Sequence, residues 1–342
     1  MRSVGGLAVA LALCCTPAGA GAEAPPAIYE IGSGGSPRRL VGGVAALGFA
    51  LSRDGSKVAF FRGYQEGASV WVVNRNGTGE RQIVAGEGAD RILADFPIVW
   101  SPAGDAVAYT TLETGSCRPG TCQTTHVVLA DVRDGSTRES FAGEGLHWYA
   151  KGRRMVWVCD SEPDPYGERE SICFTRAGGG AVQQIEVGLV DRVAPAPDGV
   201  RIAFTGMGGS PLGVVNLRTR SVRVLVDPAS SIDGAPTWSP DSRRIGYATA
   251  AGELFTIRTS GGRPRRVGRF ANARSPAWSP GGGRIAFSRE RLWTVHPDGK
   301  GARRITRERV SAANCLVSSG TAPSCGPAWS PGSRKLYYLG RR

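Results

Sequence analysis

The sequence predicts an all-β protein: a single seven-bladed β-propeller of four-stranded antiparallel blades. Three observations predict it. One aromatic-Ser-Pro-turn-strand phrase recurs along the chain, it returns every 40 to 51 residues, and the two chain ends are complementary halves of one further unit.

The phrase is clearest as "VWSPAGDAVAYTT" from Val99, "PTWSPDSRRIGYAT" from Pro236, "PAWSPGGGRIAFSR" from Pro276 and "PAWSPGSRKLYYLG" from Pro327. "FALSRDGSKVAFF" from Phe49 is a good copy, and "LHWYAKGRRMVWV" and "VAPAPDGVRIAFT" are degenerate ones. Indexed on the Ser or its substitute, the series is Ser52, Ser101, Tyr149, Ala196, Ser239, Ser279 and Ser330, with steps of 49, 48, 47, 43, 40 and 51. Within one unit, a short strand ends at Trp278 and a Pro-Gly turn reverses the chain. "RIAFS" then alternates with the two-residue period of a strand. A third strand "RLWTVH", a turn "PDGKG" and a fourth strand "RRIT" follow. The Asp-Gly turns supply the positive φ that tight hairpins need. Trp100, Trp148, Trp238, Trp278 and Trp329 read as wedges between adjacent sheets.

The ends settle the count. "AIYEIGSGGSPRRLVG" near the start is a third-and-fourth strand pair, and "PAWSPGSRKLYYLG" at the finish is a first-and-second pair. Six full units lie between them, and joining the orphan halves gives a seventh that closes the ring without free sheet edges. Six blades is the alternative count.

Residues 1–22 read as a signal peptide and 23–342 as the propeller. Arg2 precedes an apolar run from Leu7 to Cys15, and small residues end at Ala20-Gly21-Ala22. Lipidation at Cys14 or Cys15 is the alternative, but Leu13 stands where that processing wants a small residue. No other apolar stretch is long enough to span a bilayer. Six cysteines remain beyond the signal and fall into near pairs, Cys117 with Cys122, Cys159 with Cys173, and Cys315 with Cys325. In an exported chain these read as disulfides rather than metal ligands, since no CxxC pair occurs. The net charge of +13 comes with only four lysines among 42 basic residues. The arginines fall in every repeat, which reads as solvated strand faces rather than a nucleic-acid surface.

The phrase "P-x-W-S-P-(D/G)-(G/S)" followed by a strand and "DGxxxRR(I/L)T" resembles the TolB-like (WD40-like) propeller repeat over nearly all of the mature chain. The resemblance implies a fold and an envelope compartment. An N-terminal α/β domain like that of TolB has no room here, and no Gly-x-Ser-x-Gly hydrolase motif is present.

Long insertions at 111–125, 160–171 and 307–326 fall on the face where each blade links to the next, so that face is expected to bind. The expected function is an exported, periplasmic or extracellular, monomeric and non-enzymatic propeller. Its partner would be an envelope or extracellular protein or polysaccharide. The competing class is a propeller hydrolase or lyase acting on a sugar-derived substrate near a channel metal. Four or five residues before the Trp position stand Asp95, Glu144, Asp191 and Asp233, then Arg274. Four carboxylates on one rim could hold calcium, the one cofactor the sequence suggests, or receive a basic segment of a partner. Alternatively each acid caps a turn or pairs with an arginine, Arg91 and Arg192 being candidates.

Overall fold

A computed structural model describes residues 26–340 except 33–34, 43–47, 64–66, 87–89, 95, 118–119, 161–169, 189, 191, 207–210, 227–231, 308–309 and 311–325. The expected signal segment and the Cys315 and Cys325 pair lie outside the described residues.

Seven antiparallel sheets follow one another along the chain. Blade 1 is Phe49–Leu51, Lys57–Arg62, Ser69–Asn74 and Arg81–Val84. Blade 2 opens with Asp90–Ile92 and Val99–Trp100, both paired to Ala106–Cys117, and continues through Gly120–Asp131 and Thr137–Ala142. Blade 3 is Glu144–Tyr149, Arg154–Asp160, Glu170–Arg176 and Gln183–Glu186. Blade 4 is Arg192–Pro195, Arg201–Thr205, Leu212–Asn216 and Ser221–Val226. Blade 5 is Ile232–Trp238, Arg244–Thr249, Glu253–Arg258 and Arg265–Arg269. Blade 6 is Arg274–Trp278, Ile285–Arg289, Arg291–Val295 and Arg303–Arg304.

The seventh blade is composite, as the sequence predicts. Ala328–Trp329 and Lys335–Gly340 supply its inner strands, and Ala27–Gly32 with Arg38–Val41 complete it. The closing pair runs in unbroken register from Ala27 opposite Gly340 to Gly32 opposite Lys335. Seven buried apolar clusters occupy the seven junctions between neighbouring blades. A lone four-stranded sheet would leave both of its apolar faces in water, which is why the unit repeats.

Each residue of the phrase has a visible task. The Ser backbone N–H donates to the carbonyl of the residue five positions on, as from Ser239 N to Arg244 O at 2.9 Å. Its hydroxyl accepts the returning N–H, as from Arg244 N at 2.9 Å, and donates to Asp241 at 2.6 Å. Ser52, Ser101, Ser279 and Ser330 accept the equivalent N–H. The turn between needs positive φ, supplied by Gly55, Gly104, Gly199 and Gly282, and by Ser242 and Ser333 in the two copies where serine holds that position.

The Trp wedges also carry a directed bond. The indole N–H of Trp100, Trp238 and Trp329 donates to the carbonyl of Ala50, Ala194 and Ala277 in the preceding blade, at 3.0, 2.7 and 3.0 Å. Trp278 departs: its indole donates to Gly282 O, and its backbone N–H is taken by the Thr237 hydroxyl of blade 5.

Several arginines expected as solvated are inter-blade straps. Arg38, Arg81, Arg223 and Arg265 hold one register position on the outer strand of blades 7, 1, 4 and 5. Each donates to a backbone carbonyl in the outer turn of the next blade: Arg75, Arg133, Ser260 and Asp298 respectively. Glycines in those turns permit the approach. A Cβ on Gly135 (φ +77°) would lie 1.9 Å from Ile83 O in blade 1, and one on Gly299 (φ +90°) 2.6 Å from Val267 O in blade 5.

The closing blade is clasped by one carboxylate. Glu30 is 5% exposed and accepts hydrogen bonds from Lys335 Nζ at 2.7 Å, Arg75 Nε at 2.8 Å and Tyr337 Oη at 2.9 Å. These partners join the N-terminal strand, the C-terminal strand and blade 1. Burial by itself would raise the Glu30 pKa, but the bonds from Lys335, Arg75 and Tyr337 outweigh it and hold the group at about 2.

The described residues of the insertion at 111–125 are β-structure: a 12-residue strand on each side pairs from Ala106 opposite Asp131 to Cys117 opposite Gly120. Cys159 and Cys173 are bonded, with Cα atoms 5.8 Å apart. They are diagonal partners rather than directly opposed, since Cys159 faces Ser171 and Cys173 faces Trp157. The backbone gives Cys117 and Cys122 the same diagonal offset. The expected bond between them rests on side chains outside the described residues.

Candidate functional site

The inner strands carry irregularities that shape the centre of the ring. In blade 3, Glu144 faces Val158 and His147 faces Val156, leaving two residues to bulge. Blade 5 bulges between Asp233 and Thr237, and blade 6 between Arg274 and Ala277. Among the described residues, blade 2 leaves the named strand pairing between Ile92 and Val99, keeping a bond from Leu93 N–H to Thr110 O at 2.8 Å. Pro97, Pro236 and Pro276 sit in these breaks, and Pro327 precedes the inner strand of blade 7. An innermost strand has no partner on its channel side, so a missing N–H is tolerated there.

These breaks line a cavity of about 300 Å³ to which all seven blades contribute. Its wall is mainly apolar, from Phe49, Phe96, Val158, Val193 and the four prolines. Because the lining comes from the starts of the inner strands, the cavity opens on the face carrying the blade-to-blade links. A second cavity of about 520 Å³ lies toward the tight-turn face of blades 1 to 4, and His147 borders both.

Among the described residues, charge in the upper cavity is confined to one wall. Glu144 and His147 come from blade 3 and the buried Arg192 from blade 4. Enclosure by protein strips water from the imidazolium, and the Arg192 charge opposes it further, so the His147 pKa falls to about 4. His147 is therefore a neutral imidazole at neutral pH, able to accept a proton or a hydrogen bond. The hydroxyls in the lining belong to Ser275 and Thr237, and among the described residues neither bonds to His147. A nucleophile–base pair is thus not assembled among them.

Of the four rim carboxylates singled out in the sequence, Glu144 reaches the cavity. Asp233 instead pairs with Arg274 of blade 6 at 2.5 Å, the fifth member of the same positional series. Asp95 and Asp191 lie outside the described residues. Among the described residues no three His, Cys, Asp or Glu side chains gather closely enough to hold a metal ion. His147 was not singled out from sequence as a site residue, and Arg192 only as a candidate partner for a rim acid. The signal was available: both lie at channel positions of the repeat, His147 two residues before the Ser-equivalent Tyr149.

No family model matches the chain. It is 38% identical over 86 residues to the Tol-Pal system protein TolB of Anaeromyxobacter dehalogenans strain 2CP-1, a match covering 23% of this chain and 20% of that one. Over that stretch the repeats resemble those of TolB. The chain thus spans about a fifth of the length of the curated relatives it matches. The propeller also superposes on a provisionally assigned TolB of Agrobacterium tumefaciens. The TM-score is 0.53 at 16% identity, over 82% of this chain and 99% of that one. Oligogalacturonate lyase from Vibrio parahaemolyticus is similar with a TM-score of 0.62 at 12% identity, over 93% and 97%. At such identities these likenesses establish the fold alone. No helix among the described residues is long and apolar enough to cross a membrane.

Proposed function

We propose that this chain is an exported propeller of the cell envelope, periplasmic or extracellular, that binds another macromolecule on its linked face and performs no catalysis. The observation that carries this reading is the channel mouth. All seven blades contribute to it, and among the described residues its rim is proline and phenylalanine with charge on a single wall. An apolar, preformed mouth of this kind suits an inserted side chain or extended segment, with Glu144 and Arg192 fixing its orientation. The partial match to the Tol-Pal system protein TolB supports the envelope setting.

Plugging the mouth tests it. Ala235 is exposed and lines the cavity, so Ala235→Trp should fill the opening without touching a blade interface. Cross-linked capture from the envelope of the producing cell should recover a partner with the parent protein and lose it with Ala235→Trp. Equal recovery with both proteins would sink the reading.

A second reading rests on Glu144, His147 and Arg192 sharing one wall, with His147 neutral, beside the likeness to oligogalacturonate lyase. Here the protein is a lyase on an acidic sugar chain, with His147 as the base and Arg192 holding a carboxylate. Release of unsaturated products from oligogalacturonate, abolished by His147→Ala, would establish it and displace the binding reading. Calcium bound by the acids singled out from sequence, Asp95, Glu144, Asp191 and Asp233, remains part of the proposal. Calorimetric titration, with Asp191→Asn and Asp233→Asn as controls, tests it, and an absence of heat with the parent protein removes the ion.

A further inference from the structure

The outer strands of the blades follow a rule that one blade breaks. In blades 7, 1, 3, 5 and 6, the middle of the third strand faces a polar outer residue: Arg39, Gln82, Gln184, Arg266 or Arg304. The third-strand partners are Tyr29, Trp71, Cys173, Phe255 and Trp293. In blade 4 the pair is Gly213 and Val224. A Cβ on Gly213 would meet the Phe204 ring at 2.3 Å, so the floor beneath Val224 is already filled by Phe204.

Val224 is 56% exposed and its neighbour Val222 is 43% exposed, two of the three large apolar side chains in water among the described residues. The register fixes their direction. Val222 faces Val215, which packs in the cluster between blades 3 and 4, so both valines stand on the blade 3 side. Arg223 faces Val214, which packs toward blade 5, and its guanidinium reaches Ser260 O of blade 5 at 2.8 Å. Among the described residues, Ser221–Val226 is also a sheet edge, with no strand hydrogen-bonded beyond it. Edge strands are ordinarily protected by charge or proline. Blades 7 and 5 place Pro37 and Pro264 just before theirs.

Charge decides what this edge would receive. Residues 49–191, blades 1 to 3, carry 14 Lys and Arg against 19 Asp and Glu, whereas residues 192–307, blades 4 to 6, carry 20 against 7. Two copies meeting through this edge would bring two strongly basic sectors together, which like-charge repulsion disfavours. An acidic partner meets the opposite condition. A bare polyanion would use the arginines but leave the valines and the free backbone edge without a role.

We propose that the outer strand of blade 4 accepts an extended segment of an acidic partner protein as a fifth strand. Main-chain hydrogen bonds along Ser221–Val226 hold it, and the alternation of a strand sorts its side chains. Apolar residues lie toward Val222 and Val224, and carboxylates lie opposite Arg223.

The test uses capped peptides of alternating valine and glutamate, or valine and lysine, titrated by fluorescence anisotropy against the full chain. The glutamate peptide should bind, and amide exchange should slow in Ser221–Val226. Val222→Gln with Val224→Gln should weaken it at least tenfold, and Arg223→Gln should erase the preference for glutamate over lysine. No binding of the glutamate peptide, or protection elsewhere, overturns the proposal. So does binding that ignores the valines and falls only with Arg223→Gln, which would assign the surface to polyanions. Concentration-dependent dimers that vanish with the two valine substitutions would assign it to a second copy.

Discussion

Replacing Glu30 by glutamine should loosen the closure of the ring while leaving every blade intact. The substitution keeps size and shape but removes the charge that Lys335, Arg75 and Tyr337 address. The carboxylate has an ordinary pKa of 4.5 and is held at about 2, a difference worth about 3 kcal/mol of folding free energy at neutral pH. Because the folded pKa is the lower one, this stability is fully present above pH 4.5 and is lost as pH falls toward 2. Urea unfolding of the parent and Glu30→Gln should differ by about 3 kcal/mol at pH 7, and the gap should shrink steadily below pH 4.5. Limited proteolysis at neutral pH should release the N-terminal strand first in the variant. A gap below about 1 kcal/mol, or one that does not change between pH 7 and pH 3, would refute the clasp as the source.

Converting both Cys159 and Cys173 to alanine opens a cross-link between residues 14 apart and should lower stability by about 3 kcal/mol, read as a shift in urea midpoint under non-reducing conditions. Reducing agent should have a matching effect on the parent. Gly135→Ala places a methyl group against Ile83 O at positive φ and should destabilise by about 2 kcal/mol or more, whereas Gly104→Ala, whose Cβ meets nothing within 4 Å, should show the smaller, purely conformational effect. The His147 imidazole should not titrate by NMR until the pH approaches 4. Since its folded pKa lies below the ordinary 6.5, its neutral burial costs nothing above that pH, and stability should fall by up to about 3 kcal/mol between pH 6.5 and 4. His147→Gln should remove that acid-linked part.

Much of the architecture was legible because propeller blades are local. Each blade is a meander of consecutive strands, so the spacing of Ser52, Ser101, Ser239, Ser279 and Ser330 follows from turn chemistry within a few residues. The Ser hydroxyl, the Pro and the positive-φ glycine act on neighbours in sequence, and the unmatched halves at the two ends state the closure. What acts between blades could not be read this way. Arg38, Arg81, Arg223 and Arg265 look like surface charge in a string of letters, and only ring geometry brings them to the next blade's carbonyls. Asp233 was legible as a rim acid, but its pairing with Arg274 depends on two inner strands meeting 41 residues apart in sequence. The channel is the extreme case, since seven blades each give it between one and four residues and no single stretch contains the site. Sequence by itself determined the sheets, their number and the way the ring closes, because hydrogen bonding within a meander is short-range. The tertiary structure alone decided which side chains share the channel, because that depends on where each inner strand bulges and how far each sheet twists against its neighbours.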